Sequence, residues 1–439
     1  MSKNKPRRRR STLVSAILLA AMCVALGAVI LLRLSAGGSQ AVPAAAVTLD
    51  SPAPPSTGGQ FTPAPTATPV QGAQDTEAPT ASPEPTPEPE PEYFTISMVG
   101  DCSMASNPDK KGWAIAYESV LHGDMSYPFA NTREYFADDY LTIANMEGNL
   151  SDNYYSSIEW FTFLSPSSYA EILTQGGVDF VTLANNHTMD FGQNAYNDTC
   201  AALDRAGVAR AGVDETYIFQ TDDGLKVGLY CIYNRLTGNS LSLLSSAQQE
   251  QQVAESKAMI AAGLQKLRDQ GAEYAVACLH MGTEGSYETS DVQVDVCRST
   301  IDAGYDLVYC THGHRLQPME EYNGGLIFYG LGNWTFGGHT NPGNGTDPAA
   351  YDTVIARVTV CRRGSSAALE SVEVIPCSIS SSVDPETGAL NANSLNNYQP
   401  TPYTRGGAAW ERTMSILRGE YAGSNFVPSY GDILSAMHG

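Results

Sequence analysis

From Tyr93 onward, short apolar runs alternate with longer stretches of mixed polarity. Residues 94–99 (FTISMV), 141–144 (LTIA), 180–184 (FVTLA), 226–233 (KVGLYCIY), 274–279 (YAVACL) and 307–310 (LVYC) are apolar and rich in β-branched and aromatic side chains, which predicts strands. Between them, residues 169–175, 194–206, 249–270 and 292–303 repeat their apolar positions with helical spacing. Gly207, Gly271 and Gly304 stand just past three of these helices, where a left-handed residue closes the last turn. Strand and helix in alternation predict an α/β sandwich. After about residue 350 the pattern changes to strand pairs, with 353–360 and 369–375 around a polar Arg-Gly-Ser-Ser turn. Residues 408–418 read as a helix expected to pack on the outside.

The N-terminal part is patterned differently. Residues 13–32 (LVSAILLAAMCVALGAVILL) run for 20 positions without a charge. As a helix they would be about 30 Å long, the thickness of a bilayer core. Lys3, Lys5 and Arg7 to Arg10 precede the run, so the positive-inside rule places residues 1–12 in the cytoplasm and the rest outside. A cleaved signal peptide has an apolar region of only about 7–15 residues, so an uncleaved anchor is expected. Residues 33–92 follow as a linker. Its segment 36–92 holds 13 of the 25 prolines and no Lys or Arg, which predicts a disordered, extended spacer. The expected layout is then a domain over 93–345, with 346–439 completing it by strands and a helix.

The 439 residues carry 25 basic and 47 acidic side chains, a net charge of −22. Removing the seven basic residues before position 36 leaves 18 against 47, or −29, for the remainder. Such a field excludes a nucleic-acid partner. The eight cysteines after position 100 form no Cys-x-x-Cys pair, which excludes a zinc ribbon. An exported domain would permit disulfides, while Cys231 and Cys278, in apolar strand-like runs, equally suit buried free thiols.

The ligand-type side chains are not scattered. Asp101, Asn145, Glu147, Asn186, His187, His280, His312 and His314 each follow the C-terminal end of an expected strand. In open α/β sheets that edge binds ligands. Taken singly each is ordinary: Gly100-Asp101 as a turn, Asn186-His187 as an Asx-type cap, His280 as a core histidine. His312 and His314 are two apart, so in an extended segment both imidazoles would face one way. Carboxylates, amides and imidazoles without thiolate suit a hard or borderline divalent ion, whether Mn, Fe, Zn or Mg. The donors exceed what one tetrahedral ion needs. A bridging carboxylate between two ions would use them all, activating a water and clamping both reacting oxygens.

The order of motifs resembles the CapA family of capsule and poly-γ-glutamate synthesis proteins, a branch similar to the calcineurin-like metallophosphatases. It runs Gly100-Asp101, Asn145-x-Glu147, Asn186-His187-x-x-Asp190-x-Gly192, His280-x-Gly282-x-Glu284, His312-x-His314-x-x-Gln317 and Leu331-Gly332-Asn333. The resemblance implies a four-layer α/β/β/α sandwich of the metallophosphatase type. It implies one ion on Asp101 and His314, a second on Asn186, His280 and His312, and Glu147 between them. It makes His187 the acid, with Asp190 orienting it, and places Asn145, Glu284 and Asn333 at the substrate. Ser103 stands where phosphatases carry a histidine. The function so implied is a membrane-anchored, extracytoplasmic, metal-dependent hydrolase of capsule biosynthesis that uses a metal-activated water. The alternative is a non-catalytic subunit of a polymer synthesis or export complex. The implied partners are the membrane, through the single N-terminal helix, and an anionic cell-envelope polymer or its synthase complex.

Overall fold

A computed structural model describes residues 89–437, except 106–113, 154, 156, 158–160, 338–345, 393 and 422–425. The expected basic tail, the apolar segment 13–32 and all but the end of the linker lie outside the described residues. Among the described residues, no helix is long and apolar enough to cross a membrane.

The strands are β1 (Glu92–Ser103), β2 (Leu141–Met146), β3 (Asn149–Leu150), β4 (Leu164–Ser165), β5 (Phe180–Thr182), β6 (Ala209–Ala211), β7 (Glu215–Phe219), β8 (Val227–Ile232), β9 (Tyr274–His280), β10 (Leu307–Thr311), β11 (Met319–Tyr322), β12 (Gly325–Phe328), β13 (Asn333–Phe336), β14 (Asp352–Arg363), β15 (Ser366–Ser378) and β16 (Thr401–Pro402). The helices are α1 (Ala114–Leu121), α2 (Ala170–Gly176), α3 (Gly192–Ala206), α4 (Gly238–Leu241), α5 (Ser246–Asp269), α6 (Asp291–Asp302), α7 (Ala408–Leu417) and α8 (Asp432–Met437). One sheet has the order β16-β15-β14-β1-β2-β5-β6, with β13 also paired to β1. The second has the order β11-β12-β10-β9-β8-β7.

The alternation of side chains along each strand builds the layers. Ile96, Met98, Leu141, Ile143 and Val354 of the first sheet meet Leu229, Cys231, Val276, Leu307 and Phe328 of the second. The opposite faces take helices: Ala144, Met146 and Val181 pack on Ile172, Leu173 and Leu203, while Tyr230, Ala277 and Val308 pack on Ile260, Leu264 and Val296. A strand buried on both faces reads as an unbroken apolar run, which is why these were recognisable. Each fully buried Leu, Ile or Val contributes about 1.5–3 kcal/mol, so the layer order is set mainly by this burial. The arrangement is the four-layer α/β/β/α sandwich that the family resemblance implied. Gly207, Gly271 and Gly304 take φ of 76°, 85° and 109°, the left-handed closures anticipated for them.

Two details differ from the sequence reading. The strand expected over 94–99 continues to Ser103, and the one over 141–144 continues to Met146. The extension follows from pairing: Asp101 lies in register with Asn145 of β2 on one side and Asn333 of β13 on the other. The approach is close enough that a Cβ on Gly100 would stand 2.0 Å from the Gly332 carbonyl oxygen. The second difference is α7, expected on the outside. Its Met414, Ile416 and Leu417, with Leu434 of α8, join the core shared by the two sheets.

Candidate metal centre

Asp101, Asn145 and Glu147 are almost wholly removed from solvent, at 1%, 0% and 0% exposure. Asn145 Nδ2 donates to Asp101 Oδ1 at 2.8 Å and to Glu147 Oε2 at 3.1 Å. Asn185 Nδ2 in turn donates to Asn145 Oδ1 at 3.0 Å and to the Met146 carbonyl at 2.8 Å. This amide relay ties down one oxygen of each carboxylate. The other oxygens, Asp101 Oδ2 and Glu147 Oε1, are buried with no hydrogen-bond partner. A sequestered carboxylate oxygen without a donor is costly unless a cation faces it.

Three histidines come in from the second sheet and its loops. His280 ends β9 beside Thr311 of β10, and its Nδ1 lies 2.8 Å from Thr311 Oγ1. That contact turns Nε2 toward Asn186 Oδ1 at 2.6 Å and His312 Nδ1 at 3.1 Å. His312 Nε2 is buried and has no hydrogen-bond partner; Glu284 Oε1 lies 3.8 Å away. His314 Nδ1 stands 3.3 Å from Asp101 Oδ2, and its Nε2 stands 3.8 Å from Glu147 Oε1. The segment 312–314 is not extended, contrary to the sequence reading. His312 and His314 take φ of 103° and 51°, and this left-handed bend is what sends both rings to the cluster. Such backbone costs about 1–3 kcal/mol per residue and persists where the surroundings over-determine it.

His187 approaches from the opposite side, in the turn between β5 and α3. Its Nδ1 lies 3.0 Å from Asp190 Oδ2, leaving Nε2 3.8 Å from Glu147 Oε1. The Phe163 ring backs it edge-on at 4.5 Å, and Asp190 Oδ2 also accepts from the Phe163 backbone N–H. Asn185 Oδ1 accepts from the His187 backbone N–H, so the Asx turn belongs to Asn185 rather than Asn186.

Of the residues expected at the substrate, only Glu284 reaches the surface, with 46% of its side chain exposed. Asn145 is buried behind the carboxylates, and Asn333 is buried at 2% exposure with Oδ1 2.9 Å from His314 Nδ1. The pairing of β1 with β2 and β13 buries both. Asn185, Thr311 and Phe163 were missed by sequence reasoning. Asn185 was visible in the Asn-Asn-His triplet, whereas Thr311 and Phe163 carry no signal of their own.

Burial pushes the Glu147 carboxyl up to about 8, and the Asp101 charge adds to the effect. Burial works against protonating His314, but Glu147 and Asp101 lift it to about 9. Burial also opposes protonating His187, and Asp190 outweighs it and raises that ring. His280 and His312 are driven down by burial and by neighbouring imidazoles, His312 to about 3. The last two are therefore neutral near pH 7, the form that offers a lone pair to a metal. Asp101, Glu147 and His280 each bring a ligand atom within 4.8 Å of the others. Two buried carboxylate oxygens that face only imidazoles, the neutral rings of His280 and His312, and an amide oxygen fit a hard or borderline divalent ion.

The model of the family described as "Bacterial capsule synthesis protein PGA_cap" matches residues 95–337. The capsule biosynthesis protein CapA of Bacillus anthracis is 24% identical over 343 residues, covering 75% of this chain and 78% of that protein. The PGA biosynthesis protein CapA of Bacillus subtilis strain 168 is 25% identical over 252 residues, covering 56% of this chain and 64% of the relative. Among solved structures, the calcineurin-like phosphoesterase YfkN of Bacillus subtilis aligns at 13% identity and a TM-score of 0.37. That alignment covers 66% of this chain and 91% of the other, and at this score it bears on neither fold nor mechanism.

Proposed function

The chain belongs to the bacterial capsule synthesis family PGA_cap, and from that premise we propose that it is a metal-dependent hydrolase of capsule or poly-γ-glutamate biosynthesis. In this reading it acts outside the membrane, tethered by residues 13–32, on a phosphoester or amide bond of an anionic cell-envelope polymer. The observation that carries the proposal is the pair of buried oxygens, Asp101 Oδ2 and Glu147 Oε1, that accept no amide or hydroxyl donor and face only the imidazoles of His314 and His187.

Asp101 and His314 would hold one ion, and Asn186, His280 and His312 a second, with Glu147 between them. A bound divalent ion would supply Lewis acidity, making water acidic enough to attack near neutral pH and drawing charge from the substrate oxygen. The chain's own groups do the rest. Asn145 and Asn185 keep the carboxylates aimed. Thr311 sets the ring of His280 so that Nε2 faces the centre. Asp190 favours protonated His187 and fixes its Nδ1, so Nε2 is the atom that can hand a proton to a leaving group.

The test is elemental analysis of the purified full chain, with hydrolysis of bis(p-nitrophenyl) phosphate and of a γ-linked glutamate polymer. Wild type should bind metal. Asp101→Asn and Glu147→Gln should lose it, and His187→Ala should keep it while turnover falls about 10²–10⁴-fold. Failure to take up Mn, Fe, Zn or Mg would sink the proposal. Ser103 favours a second reading, a non-catalytic subunit of a synthesis or export complex. It offers only a buried, unpartnered hydroxyl two residues after Asp101. That reading predicts metal without turnover on either substrate, and full function in cells of the His187→Ala chain.

A further inference from the structure

Arg210, Arg298, Arg357, Arg362, Arg412 and Arg418 are half-buried, and each holds a carboxylate oxygen at 2.5–3.0 Å. Arg315, the remaining half-buried arginine among the described residues, has none. Its Nη1 donates to the His314 carbonyl at 2.8 Å, its Cζ lies 5.9 Å from the Tyr287 ring centroid, and its Nε is sealed from solvent without an acceptor. The carboxylate beside Tyr287 is already engaged: Asp347 Oδ2 accepts from the Tyr287 hydroxyl at 2.5 Å and Oδ1 from the Ala349 N–H at 3.1 Å.

A partly desolvated guanidinium without an anion is unfavourable, and in an acidic chain with so many carboxylates its isolation needs a cause. Position supplies one. Arg315 directly follows His314, and the Gly285 N–H to Gly313 carbonyl bond, at 2.8 Å, fastens the Tyr287 loop to the histidine loop. The guanidinium is thus held against the backbone of the histidine loop, one residue from His314. Its planar donors match a carboxylate or a phosphate.

We infer that Arg315, backed by Tyr287, is an oxyanion subsite beside the metal centre that takes a carboxylate or phosphate of the substrate next to the bond under attack. The inference rests on the reading of the cluster as a substrate site, but its test needs no turnover. Calorimetry on the Mn²⁺-loaded full chain would use inorganic phosphate and glutarate as probes. Arg315→Gln should weaken at least one probe tenfold or more at unchanged metal content, and the probe affected tells phosphate from carboxylate. Arg133→Gln, at an exposed arginine, should bind both probes as wild type does. Should Arg315→Gln not fold, Arg315→Lys decides. It keeps the charge and loses the fork, and should weaken the same probe at least threefold. Affinities within twofold of wild type in the folded Arg315 variants, or no binding of either probe by wild type, would overturn the subsite. A chain that binds an oxyanion through Arg315 yet hydrolyses nothing would leave the subsite standing and remove the hydrolase.

Discussion

Asn145→Leu removes the amide and keeps roughly the volume. It strips Asp101 Oδ1 and Glu147 Oε2 of donors that now stand at 2.8 and 3.1 Å. Hydrogen bonds to charged groups are each worth about 1.5–3 kcal/mol, so about 3–6 kcal/mol of support is at stake for the doubly ionised state that a bound cation selects. The collateral loss is limited, because Asn185 Nδ2 keeps its bond to the Met146 carbonyl at 2.8 Å. A bound cation would itself hold the carboxylates in place and recover about half of the support, leaving a net loss of about 1.5–3 kcal/mol in metal binding. That corresponds to roughly 10–100-fold weaker affinity, the range usual for a lost outer partner of a metal ligand. Titration of the metal-stripped chain with Mn²⁺ against a competing chelator would measure it, with Asp101→Asn alongside. If Asn145→Leu bound metal within twofold of wild type while Asp101→Asn did not, the relay would be irrelevant to the ligands and the reasoning wrong.

Asp190→Asn should lower the pKa of His187, so the alkaline limb of the pH–rate profile should move down by about 1 pH unit or more, read from kcat/KM against pH. Glu320 anchors the C-terminal segment: it accepts from Arg298, from the Tyr329 hydroxyl at 2.6 Å and from Ser429 N–H and Oγ at 3.0 and 2.7 Å. Burial pushes its carboxyl up, but these bonds outweigh it and hold it below the usual glutamate value. Its stabilisation is therefore present above about pH 4.5 and lost as pH falls through the lower folded value. Glu320→Gln should lower Tm at pH 7 by several degrees and flatten that part of the pH–Tm curve in calorimetry. Gly100→Ala would press a Cβ to 2.0 Å from the Gly332 carbonyl and should cost both metal uptake and about 2–4 kcal/mol in chemical denaturation. The described cysteines are free thiols, all buried except half-buried Cys200. A thiol reagent should label Cys200 first and the others only on unfolding.

The polarity pattern alone predicted an α/β sandwich and the strand ends that carry most of the donors, while the four layers came from the family resemblance. Strands such as 274–279 are buried on both faces, and helices such as 292–303 on one, so local periodicity records their burial. Asp101, Glu147 and the histidines of 280, 312 and 314 were legible because ligand chemistry recurs at strand ends. Contacts between distant residues leave no such trace. Asn145 reads as a strand end, and only pairing of β1 with β2 turns its amide onto two carboxylates. The left-handed turn through His312 and His314 and the Phe163 ring behind His187 likewise arise only when separate segments meet. The same holds for α7, whose Met414, Ile416 and Leu417 join the core shared by the sheets, and for an arginine whose meaning lies in the carboxylate it lacks. Periodicity encodes which side of an element avoids water; which atoms then face one another is decided by packing across the whole chain.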